Sequence, residues 1–298
     1  MRLAAIDIGS NAARLLISDV IPGTQAAPEF LKIALIRVPL RLGFDVFDKG
    51  EISAAKANNV IKTIQSYKLL LDVYGVKHLR ACATSAMRDA SNGREIIKKV
   101  KAETGIDIKI ISGQEEASFI YENHFADGLT RDESYLYIDV GGGSTELTFF
   151  SDGKLIFKES FNIGTIRLLK NQVSEATWDE MKEFIKAKTK GYHHVSAIGT
   201  GGNINKVFSI SKRKEGKPLS LELLRDYYKE FSTLSLEQRM SLYKFREDRA
   251  DVIVPALLIY INVMRWADAQ EIFVPKIGLA DGLIHSLYEE IKLTGVEV

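Results

Sequence analysis

The chain has 298 residues, of which 46% are hydrophobic and 27% are charged, enough for two modest hydrophobic cores. Its 40 basic and 39 acidic residues give a formal net charge of +1, so no overall field attracts nucleic acid or a membrane surface. The single cysteine, Cys82, excludes an internal disulfide, and its apolar neighbours predict a buried structural thiol. Since the chain shows no signal-peptide pattern and no apolar run of membrane-spanning length, we expect a soluble cytoplasmic protein.

The first half of the chain is predicted to be an α/β domain with a mixed sheet flanked by helices, because strands and helices come to alternate. Strands are predicted at 2–8, 13–20 and 30–38, followed by an amphipathic helix from Ser53 to Gly75. Further elements are a strand at 78–84, a helix at 93–105 capped by Asn92, a strand at 106–112 and a helix that begins at Gly113.

The same pattern begins again at Ser134. Strands are predicted at 134–140, 145–151, 154–162 and 194–200, with a helix from about Ser174 to Lys190 and further helices to about Leu234. The last predicted elements are 235–243, an apolar helix near 250–267, a strand at 271–277 and a helix at 279–293. We therefore predict two domains, 1–126 and 127–298, with the last helix either in the second domain or packed back on the first.

One short phrase occurs in both halves. "IDIGSNAARLLIS" begins at Ile6 and "IDVGGGSTELTFF" begins at Ile138, and each places an aspartate at the end of an apolar strand, just before a turn. The aligned residue pairs are Asp7 with Asp139, Gly9 with Gly141, Ser10 with Gly142, and Asn11 with Gly143. These turn residues tolerate unusual backbone angles and the close approach of a ligand.

Such turns can direct several backbone N–H groups at one anion, and the hydroxyls of Ser10 and Ser144 would add further donors. The aspartates would repel a phosphate, but a hydrated Mg²⁺ between them reverses the sign of the interaction. A single copy of the phrase would by itself indicate an ordinary glycine hairpin beside an aspartate. Two copies in two similar halves favour a phosphate and metal site.

Several segments together resemble one family. The segments "IDIGSNAARLLI", "ATSAMRDASN", "ISGQEEASFIY", "IDVGGGSTELTFF", "IGTGGNINK" and "RADVI" are similar, in this order, to the signature segments of the exopolyphosphatase and guanosine pentaphosphate phosphohydrolase (Ppx/GppA) family. That family belongs to the superfamily of actin, sugar kinases and the Hsp70 ATPase. The resemblance covers essentially the whole chain.

The resemblance implies two ribonuclease-H-like domains with mixed sheets flanked by helices and an active site in the cleft between them. It also implies Mg²⁺-dependent release of terminal phosphate from polyphosphate or guanosine pentaphosphate. From the net charge we expect no nucleic acid or membrane partner, and a homodimer is left open. The residues expected to bind the substrate phosphates are Gly9, Ser10, Asn11, Gly141, Gly142, Gly143, Ser144, Thr145 and Gly201.

Metal binding is expected at Asp7, Asp139 and Glu146, although for Glu146 packing or pairing with Arg14 is an equal alternative. Gly201 lies in "GTGGN" before an apolar helix, a weak signal for phosphate binding by itself.

Catalysis is expected to depend on Glu116 and Arg88. The resemblance implies that Glu116, the second glutamate of "SGQEEA", is the catalytic base, while Glu115 is expected to stabilise the helix N-terminus. Arg88 offers a planar fork for phosphate oxygens, and its alternative is a structural pair with Asp89 or Glu116.

The sequence departs from the family pattern at three places. Many members have "REG" where this chain has Ala280, Asp281 and Gly282, many have a glycine soon after "RADVI", and long members continue into a helical region beyond the position of Val298. From the last departure we expect distributive cleavage that favours short polyphosphates. A nucleotide- or alarmone-binding regulator with little turnover remains an alternative, and a sugar kinase is a weaker one.

Overall fold

The computed structural model describes residues 1–21, 28–124, 133–275 and 278–294. The chain divides into two compact units, the first made of residues 1–126 and 278–298 and the second of residues 127–277. The predicted boundary at residue 126 falls outside the described residues. The last helix belongs to the first unit rather than to a continuous second domain.

The first unit contains a five-stranded sheet in the order β3-β2-β1-β4-β5. Its strands are β1 (Arg2–Ile8), β2 (Ala12–Ile21), β3 (Glu29–Pro39), β4 (His78–Ala83) and β5 (Lys109–Ile110). β1, β2 and β3 form an antiparallel meander, and β4 and β5 run parallel to β1. The sheet is therefore mixed, as predicted.

Within its described residues the first unit also has six helices. They are α1 (Gly43–Lys49), α2 (Ala54–Val73), α3 (Ser85–Asp89), α4 (Gly93–Thr104), α5 (Gly113–His124) and, from the end of the chain, α13 (Leu279–Thr294). Leu279, Leu283 and Ile284 of α13 are buried in one core with Leu3 and Leu16 of the sheet. This apolar contact explains why α13 belongs to the first unit.

The second unit repeats this plan with a six-stranded sheet in the order β10-β11-β9-β6-β7-β8. Its strands are β6 (Ser134–Val140), β7 (Thr145–Ser151), β8 (Lys154–Phe161), β9 (Val195–Thr200), β10 (Leu219–Ser220) and β11 (Glu271–Phe273). β6, β7 and β8 form an antiparallel meander and β9 runs parallel to β6, which matches β1 to β4 of the first unit. The repeated phrase thus lies at the same place in both sheets.

Between residues 133 and 275 the second unit has seven helices: α6 (Thr165–Leu169), α7 (Glu175–Thr189), α8 (Gly202–Ser211), α9 (Leu221–Thr233), α10 (Leu236–Tyr243), α11 (Glu247–Ala250) and α12 (Ile253–Trp266). The core of this unit includes Leu136, Phe149 and Phe231, and α12 is buried along most of its length. None of the helices within the described ranges combines the length and the apolar composition needed to cross a bilayer.

Some predicted elements are shorter than expected. The strand predicted at 106–112 is reduced to Lys109–Ile110, because Ser112 already begins the cap of α5. The strand predicted at 271–277 ends at Phe273, two residues before Pro275, which cannot donate to a ladder, and residues 276–277 lie outside the described residues. The helix near 250–267 is divided into α11 and α12.

Two predicted helix ends also differ in detail. Gly75 has a φ of 65° just after α2, as expected of a C-terminal stop. Asn92 precedes α4, but its side chain bonds the backbone N–H and carbonyl of Ile52 instead of capping the helix.

Candidate active site

The second hairpin brings two carboxylates together. Asp139 at the end of β6 and Glu146 at the start of β7 are directly opposite in the antiparallel register. Their oxygens lie within 4.8 Å of each other, and Glu146 is only 3% exposed. Glu146 accepts hydrogen bonds from Ser144 Oγ (2.6 Å) and Ser160 Oγ (3.1 Å). Like charges directly opposite on a sheet are unfavourable unless a cation reduces the repulsion.

The first hairpin has the same register but a different charge balance. Asp7 of β1 is opposite Arg14 of β2, and Arg14 Nη1 donates to Asp7 Oδ2 at 2.8 Å. Burial raises the pKa of Asp7, while the guanidinium of Arg14 opposes that rise. Asp7 therefore already has a cation beside it, and Arg14 pairs with Asp7. Asp7 and Asp139 were expected to be equivalent metal ligands, but Asp7 lies opposite an arginine and Asp139 lies opposite a second carboxylate.

Two features beside Asp139 fit a hydrated cation. Thr200 is opposite Asp139 in the parallel register of β6 and β9, and its Oγ1 is buried without a hydrogen-bond partner among the described residues. A Cβ at Gly201 would lie 2.8 Å from Asp139 Oδ1, so glycine leaves room for the carboxylate. Carboxylates, a hydroxyl and space for waters are the donor set that Mg²⁺ prefers. Asp139 and Glu146 are thus the residues that would hold the ion.

The negative charge of Asp139 also affects the pKa of the buried phenol of Tyr260. Tyr260 Oη donates to the carbonyl of Thr200 at 2.5 Å. Burial raises the pKa of Tyr260 well above its ordinary value, and the charge of Asp139 raises it further.

Some of the predicted phosphate-binding residues in the hairpin turns have an N–H group without an acceptor among the described residues, and others use their N–H group within the turn. Gly9 and Gly141 use their N–H groups to close the turns, donating to the carbonyls of Ala12 (3.0 Å) and Ser144 (2.9 Å). The N–H groups of Ser10, Gly142 and Gly143 have no acceptor among the described residues. These three can donate to an anion.

The hydroxyls and backbone angles differ from expectation. Ser144 Oγ donates to Glu146, and Thr145 Oγ1 donates to the carbonyl of Ile163 (2.6 Å), so these two hydroxyls support the turn instead of adding open donors. Ser10 Oγ forms a hydrogen bond with Ser85 Oγ (2.8 Å), in which either hydroxyl can be the donor. The unusual backbone angle expected in the turns occurs at Gly201, whose φ is 96°.

The two glutamates of α5 have different surroundings. Glu115 accepts from the N–H of Ser112 (2.8 Å) and from Lys109 Nζ (2.8 Å), and its own N–H donates to Ser112 Oγ, which forms a capping box. The hydrogen bond from Lys109 and those from Ser112 lower the pKa of Glu115 to about 2. Its expected role at the helix N-terminus is confirmed. Glu116 is only 9% exposed and takes no part in this cap.

Arg88 has structural contacts on two sides. Its Nη1 donates to the carbonyl of Ile111 at 3.0 Å, and its Nε lies 3.6 Å from Asp89 Oδ1. The contact with Asp89 is the alternative considered from the sequence. Sequence reasoning missed Ser85, although its place in "ATSA", two residues after β4, was a usable signal. Cys82 is buried as expected, and burial raises the pKa of its thiol well above the ordinary value.

Asp281 and Gly282, at the last two positions of the segment that reads "REG" in many members, have structural roles. Asp281 accepts from the N–H of Gly278 (2.9 Å) at the start of α13 and pairs with Lys32 Nζ (2.7 Å). A Cβ at Gly282 would lie 2.5 Å from the carbonyl carbon of Phe119 in α5, so glycine permits the close packing of α13 on α5.

Comparisons with known proteins agree with this arrangement. The model of the Ppx/GppA phosphatase family matches residues 24–291. This chain belongs to that family. Two solved structures are similar over almost the whole chain: a Ppx/GppA family member from Aquifex aeolicus (25% identity, TM-score 0.75, 98% of each chain) and an exopolyphosphatase from Cytophaga hutchinsonii (24% identity, TM-score 0.82, 100% of this chain and 99% of that one). The predicted fold class is confirmed.

The curated relatives of this Ppx/GppA chain vary in length. A bifunctional 3-dehydroquinate synthase/phosphatase from Fusobacterium nucleatum is 31% identical over 71% of this chain and 34% of its own length. Exopolyphosphatase 1 from Mycobacterium tuberculosis is 30% identical over 56% of this chain and 48% of its own. Exopolyphosphatase 1 from Mycobacterium leprae matches 95% of this chain and 88% of its own at 24% identity. The chain thus spans a third to a half of the length of some relatives and most of others.

Proposed function

We propose that this chain is a Mg²⁺-dependent phosphoanhydride hydrolase that releases the terminal phosphate of inorganic polyphosphate. The observation that carries the proposal is the opposed pair Asp139 and Glu146 beside a turn with open N–H groups. Paired carboxylates next to anion donors suit a metal that is shared with a phosphate. Membership of the family and relatives named exopolyphosphatase support the same substrate.

When bound, Mg²⁺ would neutralise charge on the phosphate oxygens. The residues of the chain supply the remaining functions. The N–H groups of Gly142 and Gly143 bind the terminal phosphate, and Glu116 orients a water molecule and accepts its proton. The water oxygen forms a bond to the terminal phosphorus while the bridging P–O bond breaks, which yields orthophosphate and a chain one unit shorter. Arg88 is proposed to bind phosphate oxygens with a nitrogen that its structural contacts do not use.

Guanosine pentaphosphate is proposed as a second substrate, since its terminal phosphate offers the same chemistry. The cytoplasmic location and the homodimer stay predictions from the sequence.

The test measures phosphate release from polyphosphate, guanosine pentaphosphate and ATP in parallel, with and without Mg²⁺. We expect Mg²⁺-dependent release, with polyphosphate as the best substrate. Tight binding of a nucleotide without turnover of any substrate would contradict the proposal and favour a regulator. The variant Glu116→Gln serves as the inactive control for contaminating phosphatases.

A further inference from the structure

The three glycines of the second turn, Gly141 to Gly143, are held from one side by the chain that follows β8. The N–H of Thr165 donates to the carbonyl of Gly141 (3.0 Å), and the N–H of Ile166 donates to that of Gly142 (2.8 Å). The carbonyl of Gly143 accepts from a side chain, Arg167 Nε, at 2.8 Å. All three glycine carbonyls are therefore engaged by residues 165–167.

Close packing reinforces these hydrogen bonds. A Cβ at Gly164 would lie 2.5 Å from the carbonyl carbons of both Gly142 and Gly143, so residue 164 can approach the turn only as glycine. Gly164, Thr165 and Ile166 are buried, and the carbonyl of Ile163 accepts from Thr145 Oγ1. The supporting segment, Gly164 to Arg167, is thus fixed to both the turn and the strand that follows it.

The first unit uses the same arrangement with backbone donors. The carbonyl of Ser10 accepts from the N–H of Gly43 (2.9 Å), and the carbonyl of Asn11 accepts from those of Leu40 and Arg41. Residues 40–43 follow the third strand of their sheet, as residues 164–167 follow β8 in theirs. The arrangement therefore occurs in both units, and in the second copy the side chain of Arg167 supplies one of the donors.

A peptide group fixed at its carbonyl has a fixed N–H direction, because the carbonyl of one residue and the N–H of the next lie in one plane and point in opposite directions. The carbonyls of Gly141 and Gly142 therefore fix the N–H groups of Gly142 and Gly143, and the carbonyl of Gly143 fixes the N–H of Ser144, which has no acceptor among the described residues. We propose that Arg167 is a positioning residue: by holding the carbonyl of Gly143, it directs the N–H of Ser144, the last donor of the turn, at the terminal phosphate of the substrate. This inference rests on the proposed function for the identity of the anion. Donors that are fixed before the ligand arrives bind it without a cost of reorganisation.

The test follows the Ser144 amide directly. The protein is labelled with ¹⁵N in the Glu116→Gln background, and pyrophosphate with Mg²⁺ is added. We expect the Ser144 amide signal to shift, while that of Ser66, on an exposed face of α2, stays in place. In Arg167→Gln the Ser144 shift should shrink and the Kd for pyrophosphate should rise about tenfold, with the melting temperature nearly unchanged. Arg167→Lys, which can still donate to the carbonyl, should recover most of the affinity.

Equal Kd values for Arg167→Gln and the parent, or an amide signal of Ser144 that does not respond to pyrophosphate, would overturn the inference. Arg213→Gln, in an exposed loop, is the matched control for the loss of one positive charge. Because binding is read without turnover, failure here is distinct from failure of the proposed hydrolysis, which is measured by phosphate release.

Discussion

Asp139 and Glu146 occupy directly opposed positions of the second hairpin, where the first hairpin has Asp7 and Arg14. One duplicated register therefore contains an ion pair in the first unit and two carboxylates in the second. An ion pair is complete without a ligand, whereas two carboxylates gain stability from an added cation. The difference favours the second hairpin as the place of the proposed metal ion.

Replacing Asp139 by Asn should raise the Mg²⁺ concentration for half-maximal activity about tenfold or more, because one of the two opposed negative charges is lost. A Mg²⁺ titration of phosphate release measures this change. The exposed carboxylate of Asp179 provides a control, and Asp179→Asn should leave the titration unchanged. If Asp139→Asn also titrates like the wild type, the ion does not bind beside Asp139.

Replacing Asp7 by Asn should mainly lower stability. The change leaves the guanidinium of Arg14 without its carboxylate, and since Arg14 is about one-third exposed, we expect a loss of roughly 1–3 kcal/mol in the free energy of unfolding. Urea denaturation gives this value. Asp19→Asn, which breaks the more exposed pair with Arg2, should cost only about 0–1 kcal/mol. Equal losses in the two variants would contradict the special role of the buried pair.

Replacing Glu116 by Gln should lower kcat by about 10² or more without abolishing substrate binding, as expected when a general base is lost. Replacing Glu115 by Gln should keep activity and the capping box, which Gln also forms, but it removes the ion pair with Lys109 and the negative charge at the start of α5, at a cost of about 0.3–1 kcal/mol. Kinetic assays and thermal melts of both variants separate the two roles. The reverse order of activities would show that Glu115 is the base.

The contribution of Glu115 to stability should depend on pH. Its pKa of about 2 in the folded chain lies below the ordinary value of 4.5, so its interactions stabilise the fold above pH 4.5 and are lost as the pH falls through about 2. We expect the stability difference between the wild type and Glu115→Gln to shrink over this range. A difference that stays constant from pH 5 to pH 2 would rule out the titration of Glu115 as its source.

Replacing Gly282 by Ala should destabilise the first unit by about 1–3 kcal/mol, because the added methyl group meets the backbone of α5 at Phe119. The nearby Gly278→Ala is a matched control, since a Cβ at that position meets nothing within 4 Å. Thermal melts compare the two. Similar melting temperatures would mean that α13 can move away from α5 at little cost.

The sequence predicted those features of the fold that depend on local patterns. The strand at 134–140 and the helix from Glu175 to Thr189 follow from hydrophobic periodicity and a serine cap, and both are close to their predicted bounds. The short helices α1, α3 and α6 were missed because five to seven residues contain too little periodicity. The support of the glycine turn by Arg167 was also missed, since it joins residues 24 positions apart through a backbone carbonyl that no residue type reveals.

The position of α13 has a consequence for the order in which the chain can fold during synthesis. The second unit is continuous, so all its residues have been made when residue 277 leaves the ribosome. The core of the first unit, by contrast, contains Leu3 and Leu16 together with Leu283 and Ile284, and it stays open until α13 is made. The unit that begins first is therefore completed last, and a nascent chain stopped before Leu279 should expose this apolar face to chaperones.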